Sequence, residues 1–157
     1  MSKNYFSLGL MSGTSGDGVD ASIIKSDGQN QYETVLDKYF EYSVQIQENI
    51  HTLKDKIANS SEKLIEFSKE ISSLERSITL FHAEAANEIL KDTKEDIDFI
   101  GFHGQTILHS PLLSMTKQLG DGKLLSQLTK KTVIYDFRQN DLKNGGHGAP
   151  LSPIFHK

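Results

Sequence analysis

Hydrophobic and polar positions change period several times along the chain. Residues 5–11 form a short apolar run that stops at Ser12 and Gly13, which predicts a buried strand running into a glycine turn. Residues 19–24 and 32–42 predict two more strands, with Ser26-Asp27-Gly28-Gln29-Asn30 as their hairpin connection. Three strands joined by short turns imply an antiparallel opening to a sheet. The period then lengthens. Ile46, Ile50, Leu53 and Ile57 recur every three or four residues, the spacing of an amphipathic helix over 44–57. Asn59-Ser60-Ser61-Glu62 interrupts it and offers N-caps for a second helix. Over 60–91, Leu64, Phe67, Ile71, Leu74, Ile78, Phe81, Ala85 and Ile89 form one apolar stripe. That length predicts one long helix with room for a kink. Its stripe fits packing on the protein's own sheet, the simpler destination, or a coiled-coil seam in a dimer.

Residues 96–102 return to a short apolar run and predict a fourth strand. A short helix over 122–130, a fifth strand over 132–135 and a glycine-rich loop over 144–150 complete the reading. Strand-strand-strand-helix-strand-helix-strand predicts an α/β fold with a mixed sheet, its later strands parallel to one another. Ligands of such sheets lie outside the carboxyl ends of the strands. The conspicuous polar groups sit at three predicted strand ends: residues 12–20, 103–106 and 136–141.

Composition narrows the classes. With 157 residues, 36% apolar and 24% charged, the chain has the makings of one globular domain. A net charge of −4 and a lone Lys130-Lys131 pair exclude broad nucleic-acid binding. The absence of cysteine excludes disulfides and thiolate metal sites. The apolar run at 5–11 is too short for a membrane span and lacks a signal-peptide cleavage site, so the expected location is cytoplasmic, with no membrane partner.

The first loop, Gly13-Thr14-Ser15-Gly16-Asp17-Gly18-Val19-Asp20, places three glycines within six residues. Backbone N–H groups turned inward by such a loop make a cradle for anionic oxygens. Asp17 and Asp20 suit a phosphate only with a divalent cation between them, which predicts a metal nucleotide. The loop lacks the Gly-Lys-Ser/Thr ending of a P-loop, and a plain Gly/Asp hairpin fits the pattern almost as well. His103-Gly104-Gln105-Thr106 supplies donors and acceptors for a hydroxyl-rich ligand, or merely satisfies loop backbone. Arg138, in Asp136-Phe137-Arg138-Gln139-Asn140-Asp141, can fork onto a carboxylate or phosphate. Asp136 or Asp141 can accept a proton there. An Arg–Asp pair capping the strand is the plainer reading of that segment.

Taken together, residues 9–20, Gly101-Phe102-His103-Gly104-Gln105-Thr106, Gln118-Leu119-Gly120-Asp121, Asp136-Phe137-Arg138 and Gly145-Gly146-His147-Gly148-Ala149-Pro150-Leu151 resemble the anhydro-N-acetylmuramic acid kinase family. The resemblance implies the first domain of the hexokinase/actin/Hsp70-like phosphotransferase fold, with a ribonuclease-H-like core. It implies ATP and Mg²⁺ as cofactors and an amino sugar, 1,6-anhydro-N-acetylmuramic acid, as substrate. The expected product is N-acetylmuramic acid 6-phosphate, within peptidoglycan recycling. By position, Gly13 to Asp20 are expected to bind ATP phosphates, with Asp17 at the metal. His103, Gln105, Thr106 and Arg138 are expected toward the sugar.

Two departures stand out. Gly16 occupies a position where the family commonly has Met or Leu. The Asp-Thr-Gly-Pro motif that carries the family's base does not occur in these 157 residues, and the second lobe is expected to lie outside them. The chain alone is therefore expected to have little or no kinase activity, and to associate with that lobe or with a second copy. The alternatives are a vestigial domain that binds a ligand or partner without catalysis, and a metal-dependent hydrolase using Asp17, Asp136 and Asp141.

Overall fold

The computed structural model describes residues 4–58 and 60–151. Strands β1 (Tyr5–Ser12), β2 (Gly18–Ser26) and β3 (Tyr32–Glu41) are followed by helices α1 (Val44–Ile57), α2 (Ser61–Glu66) and α3 (Ser68–Lys91). Then come β4 (Phe99–Ser110), β5 (Met115–Leu119), α4 (Gly122–Thr129), β6 (Val133–Tyr135) and α5 (Gln139–Lys143). The sheet order is β3-β2-β1-β4-β5, with β6 also on β4. β1, β2 and β3 pair antiparallel, while β4 runs parallel to β1 and β6. This is the expected α/β, ribonuclease-H-like mixed sheet.

Alternation on the strands decides the layers. Leu8 and Leu10 on β1 and Val19, Ala21 and Ile23 on β2 are buried, two residues apart, so they line one face. α3 lies against β1, β2, β4 and β5 and touches α1 and α4. Its Ile71, Leu74, Ile78, Ala85 and Ile89 are buried in that layer. The long stripe is thus spent inside the chain's own core, and no coiled-coil seam is needed to cover it. Burial of each such Leu or Ile contributes on the order of 2 kcal/mol. The expected kink is a break: Phe67, at φ −97 and ψ 23, separates α2 from α3.

Three segments differ from the sequence reading. The fourth strand does not end at Phe102 but continues to Ser110, turns at Pro111–Leu113 and returns antiparallel as β5. His103 to Thr106 therefore lie inside a strand, where the polar sequence Gly101-Phe102-His103-Gly104-Gln105-Thr106 had disguised it. Among the described residues the sheet has six strands rather than five. Residues 139–143, to which the sequence pattern assigned no element, form the short helix α5.

His82 lies in the core between Tyr42 and Phe102, with ring centroids 6.3 and 5.0 Å away. Its Nδ1 sits 2.8 Å from the Ile78 carbonyl, and burial pushes its pKa down to about 4. Protonation thus favours the unfolded chain, where an imidazole titrates near 6.5. His82's contribution is complete above pH 6.5 and lost as pH falls toward 4, a loss of about 3 kcal/mol. Urea midpoints at pH 7.5 and 4.5 should differ more for this chain than for His82→Phe.

Candidate functional site

The glycine loop leaves the end of β1 and enters β2. Its turn closes through the Gly16 N–H donating to the Gly13 carbonyl at 3.1 Å. Gly16 takes φ +68, and a Cβ there would stand 3.0 Å from Ile50 Cγ2 on α1. Ile50 therefore fills the space that a side chain at position 16 would use. Lys54, one turn along α1, donates to the Thr14 carbonyl at 2.7 Å, and the Tyr42 N–H donates to the Asp17 carbonyl at 2.8 Å. Nothing in the sequence pattern marked Lys54, whose role appears only when α1 packs beneath the loop. Gly16→Met should cost about 1–3 kcal/mol. In an Ile50→Ala background, which removes Cγ2, that cost should fall by about 1 kcal/mol, as a double-mutant cycle in urea would show.

The loop's polar groups divide. Thr14, Ser15 and Asp17 are exposed. The Ser15 hydroxyl donates to Asp17 Oδ1 at 2.7 Å, which holds that carboxyl below its ordinary range. Val19 is buried in the core, so only its backbone is available to a ligand. Asp20 stands on β2, opposite Met11 and Tyr39 in the strand register.

Of the residues expected toward a sugar, the structure joins two directly. Arg138 Nε donates to His103 Nε2 at 2.8 Å, and its Nη1 donates to the Gly148 carbonyl at 2.8 Å. Because guanidinium only donates, His103 Nε2 carries the lone pair. The proton is on Nδ1, which donates to the Gly104 carbonyl at 2.8 Å. Burial, reinforced by the Arg138 charge, keeps the His103 pKa below the usual histidine range. Among the described residues no carboxylate pairs with Arg138. The Arg–Asp pair that the sequence also allowed is therefore replaced by an Arg–His–glycine-loop contact. Asp141 instead braces that loop, accepting from the Gly148 N–H at 2.7 Å.

Gln105 and Thr106 do not join this pair. Gln105 is wholly buried, and its amide Nε2 donates to the Gly13 and Thr106 carbonyls at 2.9 and 3.2 Å. Thr106 Oγ1 accepts from Gln118 at 3.3 Å.

Two depressions meet at the His103–Arg138 pair. One, of about 250 Å³, is mixed in character and adds Glu75, Lys117, Gln118 and Asp136 beside Phe102 and Tyr135. The other, of about 370 Å³, is apolar and adds Leu10, Met11, Pro150 and Leu151, with Phe137 shared by both. Asp136, at φ +62, borders the smaller depression, whereas Asp141 borders neither. Among the described residues no three His, Asp or Glu side chains are grouped to hold a metal. Asp17, Asp136 and Asp141 thus do not converge, because each is fixed in a different local structure, and the hydrolase alternative loses its constellation. No helix among the described residues is long and apolar enough to cross a membrane.

The sequence model of the anhydro-N-acetylmuramic acid kinases matches residues 5–157. The chain belongs to that family. A relative of that name from Pelagibacter ubique (strain HTCC1062) is 59% identical over 99% of this chain and 41% of its own length. Relatives of the same name from Brucella canis and Gluconobacter oxydans are each 40% identical, covering 95% and 96% of this chain and 40% and 41% of their own lengths. The chain spans about two fifths of the length of the curated family members it matches.

Proposed function

We propose that this chain forms the phosphate-binding wall and part of the sugar-binding wall of an ATP-dependent anhydro-N-acetylmuramic acid kinase. The observation that carries the reading is the glycine loop at the end of β1, with the His103–Arg138 pair at the neighbouring strand β4. Mg²⁺ takes one or two carboxylates together with phosphate and water oxygens, and the exposed, readily ionised Asp17 fits that need. The ion would neutralise charge on the transferring phosphoryl group. Thr14 and Ser15 offer hydroxyls beside it. Arg138, a half-buried cation without a carboxylate partner among the described residues, suits an acidic amino sugar.

In the reaction proposed for the whole protein, the oxygen of water bonds to the anomeric carbon as its bond to O6 breaks. O6 takes the γ-phosphoryl group and ADP leaves. Water must lose a proton in this step. His103 is not placed to receive it, because its Nε2 accepts from Arg138. By the family resemblance the base belongs to a second lobe, with which this chain would associate in the cytoplasm. The chain alone should show no turnover with ATP, Mg²⁺ and 1,6-anhydro-N-acetylmuramic acid, while Mg·ATP shifts the amide resonances of residues 13–18. Turnover would overturn the first statement. Silence of every loop amide would overturn the phosphate-loop assignment and favour a vestigial domain.

A further inference from the structure

Gln105 lines neither depression, yet its buried amide binds the start of the glycine loop. The NH₂ group faces two carbonyls, Gly13 and Thr106, and the amide oxygen faces the Ser12 hydroxyl. Turning the amide over would set its oxygen against two carbonyl oxygens, so one orientation is enforced. Ser12 Oγ lies 2.8 Å from the Gly18 carbonyl at the far end of the loop. One side chain on β4 thus grips Gly13 directly, while Ser12, whose single hydroxyl proton serves either the Gln105 oxygen or the Gly18 carbonyl, stands between it and the far end of the loop.

A bulge makes this reach available. Leu10 pairs with Phe102, but Ser12 pairs with Gln105, so β4 carries one extra residue. Without it, alternation would turn Gln105 to the opposite face of the sheet from Phe102.

The consequence lies in the peptide between Gly13 and Thr14. In a planar trans peptide, C=O and N–H point in opposite directions. With the Gly13 carbonyl held by the buried Gln105 amide at 2.9 Å and, less closely, by the Gly16 N–H at 3.1 Å, the Thr14 N–H is turned away from the interior, toward the loop's exposed side. We propose that Gln105 is a positioning residue that aims the Thr14 N–H at a nucleotide phosphate, rather than a residue that touches sugar. This rests on the phosphate-loop reading above.

The test uses the ¹⁵N-labelled chain titrated with Mg·ATP, with Gln105→Met and Leu125→Ala in parallel. Methionine keeps much of the shape of glutamine and removes its hydrogen bonds. Leu125, buried on α4, serves as a control for loss of stability at a site outside the loop and β4. The Thr14 amide should move downfield in the parent chain. Gln105→Met should weaken Mg·ATP binding about tenfold or more and abolish that shift, while Leu125→Ala should keep both. Binding within about twofold of the parent, with the Thr14 shift retained in Gln105→Met, would overturn the proposal alone. A parent chain in which no loop amide responds would overturn the phosphate reading and this proposal together. If either variant fails to fold, amide exchange at Thr14 in Gln105→Glu decides. A glutamate oxygen facing the Gly13 carbonyl should leave that peptide held only by the Gly16 N–H and speed exchange at Thr14, and an unchanged exchange rate would sink the idea.

Discussion

Gly104→Ala should destabilise the chain by about 3 kcal/mol or more, the largest effect expected of any single methyl group added here. Gly104 takes φ +72, and a Cβ there would overlap the Leu119 carbonyl oxygen and stand 3.1 Å from its carbon. Left-handed backbone costs a non-glycine residue about 1–2 kcal/mol. The overlap adds to this, since the obstacle is backbone of the paired strand β5 and cannot rotate aside. Gly101→Ala is the comparison. It stands on the same strand, and its Cβ would meet nothing closer than 3.9 Å, so its cost should stay below about 1 kcal/mol. Urea unfolding of both variants reads the difference. Equal midpoints would show that the bulge relaxes freely and does not fix the register of β4.

Arg138→Ala should show the largest functional effect. Its fork holds His103 on one side and Gly148 on the other, so the wall shared by the two depressions depends on it. Affinity of the chain for 1,6-anhydro-N-acetylmuramic acid should fall about tenfold or more, the loss expected of a charge-assisted hydrogen bond. Lysine should not restore it, because one ammonium cannot reproduce two donors in a planar fork. The variant also carries a readout independent of any ligand. The Arg138 charge helps to depress the His103 pKa, with burial as the larger cause. Its removal should move the His103 titration upward, still short of an exposed imidazole. A proton NMR titration of the His103 ring checks the sign, and an unchanged or lowered midpoint would refute the coupling.

Much of this molecule was legible in its sequence. Period two over residues 19–24 and period 3.6 over 44–57 and 60–91 reflect which face each element buries, and burial is decided locally by alternation. Glycine at 13, 16 and 18 gave the turn its place, and the five motifs gave the family. The β4–β5 hairpin escaped because polar residues interrupt an otherwise apolar strand at His103 and Gln105. These are tolerated there only because buried partners from distant segments satisfy them.

What tertiary structure decided is where the polar groups point. His103 and Arg138 are 35 residues apart and meet because β6 joins β4. Gln105 and Gly13 are 92 apart and meet because β4 joins β1. Lys54 and Ile50 reach the loop only because α1 packs under it. The sequence by itself determined that the chain has a glycine loop and several polar candidates beside it. Sheet pairing determined that one of these, Gln105, faces the loop from within while Arg138 faces the cleft. The reason is physical: hydrophobic periodicity specifies which face of an element is buried, whereas side-chain hydrogen bonds form only after separate elements have been brought together.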